Sequence, residues 1–317
     1  MNIVINDRIK IISQNGQNLV VKQTWPGSGT AGLVNLNKEW TLHTTIYHYL
    51  NNYRDTTIKL PEPIILSDGN QEFYQQYINS AVSVWSLFVN NNPDKLKICT
   101  RILEGLNSLH ASKLLPSIQI HSEAEMPPKP QLTELEYRSL PIWGRVFIGL
   151  YHNQLKGIYN SLNGCKYNKR TNIIHGDLSI DNILFSSTEN QLYIIDWERS
   201  GIGAPEHDIA ALYASILTAN IWRFKEAKND GVDFREVLTK WIDSWQDLIV
   251  ETISLYQYPI NQELLRVLLS AKIASRAYAA ALAMGPDSTF TKTLMQVSEK
   301  INDTPSLFRS LYPNFIK

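Results

Sequence analysis

Only two cysteines occur in the 317 residues, Cys99 and Cys165. They form no Cys-x-x-Cys pair, which removes the usual thiol metal site and the dithiol redox motif. Excess charge of one sign is missing too: Lys plus Arg and Asp plus Glu are 30 each. No net field therefore draws the chain to nucleic acid or to an anionic membrane, and a strongly polycationic substrate is disfavoured. No apolar run approaches the length needed to span a bilayer. Residues 1–7 lack a basic region leading into an apolar segment with a small-residue cleavage site. A cytoplasmic protein, with neither nucleic acid nor membrane as partner, is the expectation. What the chain has instead is apolar mass, 44% hydrophobic and 10% aromatic residues. That is enough for a sizeable core in one large domain or two.

The most informative stretch runs from Ile173 to Arg199. Ile-Ile-His-Gly-Asp-Leu-Ser-Ile-Asp-Asn-Ile-Leu-Phe is followed by a polar spacer at 186–191 and by Leu-Tyr-Ile-Ile-Asp-Trp-Glu-Arg. Two short apolar runs around a turn-forming spacer predict a β-hairpin. Asp177, Asn182 and Asp196 stand at its ends, each beside an apolar run that would hold it. Two carboxylates and an amide so placed form an oxygen-donor set for a hard divalent cation.

His-Gly-Asp-x-x-x-x-Asn followed by Ile-Asp-Trp-Glu resembles the catalytic core of the aminoglycoside phosphotransferase and choline kinase family, the small-molecule branch of the protein-kinase-like fold. The resemblance implies an α+β fold of two lobes. A small β-rich lobe would cover residues 1–78, with the nucleotide-binding sheet and helix, and a large helical lobe residues 79–317. It implies an ATP- and Mg²⁺-dependent phosphotransferase with an alcohol acceptor. Asp177 would face the acceptor hydroxyl, while Asn182 and Asp196 would hold Mg²⁺. Ser179 stands where serine/threonine protein kinases often carry lysine, which favours the small-molecule branch.

Taken in order, residues 9–12, the turn 13–16 and residues 19–21 read as a hairpin whose second strand ends at Lys22. Helical spacing follows from Leu36 to Leu50, with Glu39 one turn into it. By the resemblance, Lys22 steadies the α- and β-phosphates and Glu39 braces it. Taken singly, they read as a surface lysine and a first-turn glutamate favoured by the helix dipole.

Gly27-Ser28-Gly29-Thr30-Ala31-Gly32 is a literal Gly-x-Gly-x-x-Gly. No β-α-β unit closed by an acid follows it, because Leu60-Pro61-Glu62-Pro63 interrupts, so it reads as a loop joining strand to helix. Only residues 1–8 precede the first hairpin, and they contain no glycine. The phosphate lid usual in this fold is therefore a short turn near Asn6-Asp7, or is absent. A second hairpin is read over 64–78, and by the resemblance its end is the hinge, where the backbone of Gln76 and Ile78 would meet the adenine edge.

Further helices are predicted over 96–110 after Asn92-Pro93-Asp94, over 143–162, 234–255 and 261–284, the last stopped by Gly285-Pro286, and over 289–301. His110 and His175 read as structural, and Asp208 resembles the family's aspartate that braces the catalytic loop. The proline-bearing stretch 114–141 is either a lobe insertion bordering the acceptor site or a surface loop. Glu236, Asp243, Asp247 and Glu251 share one helical face. That face is either, as the resemblance implies, a recognition stripe for a cationic acceptor, or simply solvated. Trp241 and Trp245, on the same helix, read as core.

The expected acceptor is an aminoglycoside-, amino-alcohol- or sugar-like hydroxyl. A Ser or Thr of a precursor peptide is the alternative, and a non-catalytic binding module, suggested by the missing glycine turn, is the second. A partner protein is also possible.

Overall fold

A computed structural model describes residues 3–5, 8–24, 29–51, 56–67, 72–111, 133–164, 172–227, 244–245 and 247–303. Strands β2 (Ile9–Gln14) and β3 (Gln17–Gln23) meet at Asn15-Gly16. Both turn residues have positive φ, 52° and 79°, which the twist of a two-residue hairpin demands and which Asn-Gly supplies at least cost. The register pairs Ile9 with Lys22 and Gln14 with Gln17. Lys22 is thus one residue inside its strand.

Strand β1 (Ile3–Val4) pairs antiparallel with β2. Asn6 and Asp7, the expected turn, lie outside the described residues. After β4 (Ile58–Lys59) come β5 (Pro63–Ser67) and β6 (Glu72–Gln76), which complete a five-stranded sheet of order β1-β2-β3-β6-β5.

Helix α1 runs from Gly29 to Asn51, starting seven residues before the predicted Leu36. Gly29 and Gly32 are therefore helical and not part of a loop, as the sequence suggested. Leu36, Leu42, Ile46 and Leu50 are buried as their spacing requires, and Glu39 and His43 are buried with them.

Strand β7 (Ala81–Ser83) and helices α2 (Val84–Val89), α3 (Lys95–Ala111), α4 (Glu134–Ser139) and α5 (Ile142–Gly164) follow. Next come β8 (Asn172–Ile174), β9 (Ile183–Ser186), β10 (Gln191–Ile194), β11 (Gly201–Gly203) and α6 (Glu206–Ala227). The last elements among the described residues are α7 (Gln262–Met284) and α8 (Thr289–Asp303).

The predicted hairpin around 186–191 is β9 and β10, with Ile183 opposite Ile194. They form the centre of a second sheet, β4-β10-β9-β7. β4 lies before residue 78 yet pairs parallel with β10, so a strand of the first 78 residues is built into the sheet of the remainder.

Asn261 caps α7 through Leu264 N–H at 3.1 Å, and Gly285 ends the helix with φ 93°. By length and composition α7 could cross a membrane, which corrects the expectation that no apolar run approaches that length. Here 56% of its most apolar window is buried, and it packs on α5, α6 and α8.

His43 and His207 are buried, and burial lowers the pKa of each to about 4. Between that value and the unfolded pKa near ~6.5 the unfolded chain binds more protons. Stability is therefore complete above pH ~6.5 and falls towards pH 4, by up to ~3 kcal/mol per histidine. Urea midpoints measured from pH 7 to pH 4.5 should drop steadily, and His43→Gln should flatten the slope. An unchanged midpoint would contradict neutral, buried imidazoles.

Candidate active site

The segment after β8 folds around one buried carboxylate. Asp208, in the first turn of α6, accepts the N–H groups of His175 and Gly176 at 2.8 Å each. It also accepts His110 Nε2 at 3.1 Å, and His110 Nδ1 meets the Tyr256 hydroxyl at 2.7 Å. Burial opposes the charge on Asp208, but His110 and the loop amides outweigh it and hold the pKa below the usual carboxylate range. His110 is thus a buried hydrogen-bonding residue, as its sequence context implied.

His175 donates from Nε2 to the Ile195 carbonyl at 2.9 Å and accepts the Asp177 N–H on Nδ1 at 3.3 Å. With both ring nitrogens committed, it is a strut and not a base. The Trp197 ring lies edge-on to it, centroids 4.7 Å apart. Gly176 has φ 79°, and a Cβ there would lie 2.2 Å from the Arg199 carbonyl oxygen, so no side chain fits between His175 and Asp177.

Asp177 is the half-exposed tip of this loop. Its carbonyl accepts both Ser179 N–H at 2.8 Å and the Asn182 side-chain amide at 3.0 Å. The Asn182 carbonyl accepts Ile195 N–H at 3.0 Å. That bond, continuing the β9–β10 ladder, brings Asn182 beside the strand end that carries Asp196.

Asp196 has φ 66°, a left-handed conformation tolerated by aspartate and often found at functional sites. Its Oδ1 accepts Lys22 Nζ at 2.6 Å, and Lys22 also donates to Glu39 Oε1 at 2.5 Å. Burial works against the Lys22 charge, but the two carboxylates more than offset it and raise the pKa. Burial raises the pKa of Glu39, while for Asp196 the Lys22 ammonium outweighs burial and lowers it.

The structure therefore joins Lys22, Glu39 and Asp196 directly and sets Asn182 and Asp177 on the adjoining loop. Gln76 and Ile78 stand apart, at the end of β6. Gln76 N–H donates to the Glu62 carbonyl at 2.9 Å, and the Ile78 carbonyl accepts Ala81 N–H at 3.5 Å.

Sequence reasoning missed Glu198. Carboxylate oxygens of Glu39, Asp196 and Glu198 all lie within 4.8 Å of one another, and Glu39 Oε2 is buried without a hydrogen-bond partner. Such oxygen donors suit a hard cation such as Mg²⁺. Arg8 Nη1 holds Glu198 at 2.8 Å, tying the residue before β2 to this cluster. The third residue of Asp-Trp-Glu was the available signal.

Two further residues escaped, Lys272 and Arg276 on α7. Lys272 Nζ donates to the Gly176 carbonyl at 2.9 Å, and Arg276 bonds Asp181 at 3.0 Å. Two cations one turn apart in an alanine- and leucine-rich helix were their trace.

Glu236, Asp243 and Trp241 lie outside the described residues, as do Cys165 and most of the 114–141 stretch. Asp247 and Glu251 line a cavity of about 550 Å³ with Lys95, Asn91 and Arg223, and none of Asp177, Asn182 or Asp196 borders it. Trp245 is core, donating to the Tyr213 carbonyl at 3.2 Å.

Residues 93–236 match the model of the phosphotransferase enzyme family. No curated protein matches the sequence. Among solved structures, the chain is similar to a choline kinase from Streptococcus pneumoniae, at 13% identity and a TM-score of 0.56 over 95% of this chain and 91% of that one. A spectinomycin phosphotransferase in complex with ADP and spectinomycin gives 13% and 0.54 over 98% and 92%. An ADP-bound aminoglycoside phosphotransferase gives 15% and 0.52 over 95% and 93%. At such identity the structural matches speak for the fold, and the family match covers the catalytic segment. The chain is therefore an enzyme whose residues 93–236 match the phosphotransferase family model, with a mixed α+β, kinase-like fold similar to that of the choline kinases and aminoglycoside phosphotransferases.

Proposed function

We propose that this enzyme moves the γ-phosphoryl group of MgATP to a hydroxyl of a small molecule that is aminoglycoside-, amino-alcohol- or sugar-like. The observation that carries the reading is the contact of Lys22 with both Glu39 and Asp196, three residues drawn from three separate segments. A buried ammonium held between two carboxylates, beside a loop whose tip is a half-exposed aspartate, suits phosphate chemistry more than structural support.

In this reading Asp177 orients the acceptor hydroxyl and takes its proton as the new P–O bond forms and the bond to the β-phosphate bridging oxygen breaks, releasing ADP. Lys22 steadies the phosphates, and Glu39 keeps its charged end in place. Asn182 and Asp196, with Glu198 adjoining, would hold Mg²⁺, which when bound screens the charge of the transferring group. The backbone of Gln76 and Ile78, where the chain leaves β6, would meet the adenine edge. The residues divide at the hinge near 78 into a nucleotide-holding lobe and a catalytic lobe, with the acceptor bound on the second.

Incubating the protein with γ-labelled MgATP and a fractionated lysate tests this. Label should appear in the small-molecule pool and vanish with Asp177→Asn. Label on peptides alone would overturn the acceptor class, and nucleotide binding with no transfer to any pool would favour a binding module.

A further inference from the structure

We propose that Lys272, which no motif contains, is a positioning residue for phosphoryl transfer. Reaching from α7, it would hold the catalytic loop and the Asp177 carboxylate in the transfer geometry. The inference rests on the phosphotransferase reading and adds a residue from a different part of the fold.

Its basis is geometric. Lys272 lies on a helix whose neighbouring positions, Ala271, Ile273 and Ala274, are all buried. Its side chain is only 14% exposed, and an ammonium placed there carries a desolvation cost that surface lysines escape. Nζ donates to the Gly176 carbonyl at 2.9 Å and stands 3.9 Å from Asp177 Oδ1. Gly176 is also the residue whose N–H Asp208 accepts, and its φ is positive. Lys272 and Asp208 thus hold the C=O and the N–H of one loop glycine.

One turn along the same face, Arg276 bonds Asp181, next to Asn182. α7 therefore presents two cations to the loop, one at the end bearing Asp177 and one at the end bearing Asn182. The loop itself has Ser179 and no cation between Asp177 and Asn182, so a positive charge beside Asp177 must come from elsewhere in the fold. At 3.9 Å the ammonium is outside hydrogen-bond range of the carboxylate. Asp177 is oriented electrostatically while its oxygens stay open to an acceptor hydroxyl.

The probe is MgATP turnover with water as acceptor, so no acceptor need be known. Wild type, Lys272→Met, Lys272→Arg and Asp177→Asn are compared in kcat, KM for MgATP, nucleotide affinity by tryptophan fluorescence, and thermal midpoint. Lys272→Met should lower kcat by about 100-fold, the scale of a slight misplacement of reacting groups, with KM, affinity and midpoint kept. Lys272→Arg should recover part of the rate. Wild-type kcat in Lys272→Met would overturn the proposal. So would a parallel loss of rate, affinity and thermal midpoint with no recovery in Lys272→Arg, which is the pattern of a purely structural lysine. If wild-type turnover is absent or unaffected by Asp177→Asn, the phosphotransferase reading fails and the inference falls with it.

Discussion

Asp177→Asn should lower the rate of phosphoryl transfer by roughly 10²–10⁴-fold, the usual contribution of a positioned general base, while MgATP affinity stays at the wild-type value. The two effects separate because of where the residue sits. Asp177 is half-exposed at the tip of its loop, and the backbone bonds that shape the loop run through its carbonyl and N–H, not through its carboxylate. An amide of the same shape keeps those bonds and loses the proton acceptor. Lys22, Glu39 and Asp196 are untouched by the change. Steady-state kinetics with isothermal titration of the nucleotide decides the matter. A variant with full kcat would remove Asp177 from the chemistry, and one with weakened MgATP binding would place it on the cation instead.

The second large effect is on stability. Asp208→Ala deletes the acceptor of three hydrogen bonds, from His175 N–H, Gly176 N–H and His110 Nε2. All three donors are left buried, and removing one partner of such a buried network is expected to cost about 3–5 kcal/mol. Asp208→Asn keeps an acceptor oxygen and should cost less. Because the folded pKa of Asp208 lies below its unfolded value, its contribution is complete above pH ~3.9 and disappears as pH falls further. The slope from His43 and His207 lies at higher pH, so the two acid transitions are separable. Urea unfolding of the wild type and both variants measures the cost, and an Asp208→Ala chain as stable as wild type would deny the carboxylate its bracing role.

Much of the fold was legible in the sequence because its signals are local. Asn15-Gly16 encodes a hairpin turn by its tolerance of positive φ. The apolar spacing of 36–50 and 289–301 encodes helical faces, and Asn261 with Gly285 fixes the ends of α7. Where reading failed, a local rule met a non-local force. Gly29 to Gly32 look like loop residues by propensity, yet the helix extends through them once α1 is packed on the sheet and on 197–199. The second and third glycines of the Gly-x-Gly-x-x-Gly pattern thus lie in a helix. α7 was read correctly in its extent, but its apolar length was underestimated because its polar residues interrupt the run.

The candidate site divides along the same line. Sequence alone determined which residue types stand at 177, 182 and 196 and how the β9–β10 hairpin spaces them, since those contacts lie within one stretch of chain. Only the tertiary structure decided that Lys22 reaches Asp196 across 174 positions, that Glu198 completes the carboxylate cluster, and that α7 turns Lys272 towards Gly176. Those meetings depend on how sheets and helices pack, which no local pattern encodes, and a buried ammonium gains its meaning only from the carboxylates that packing brings to it.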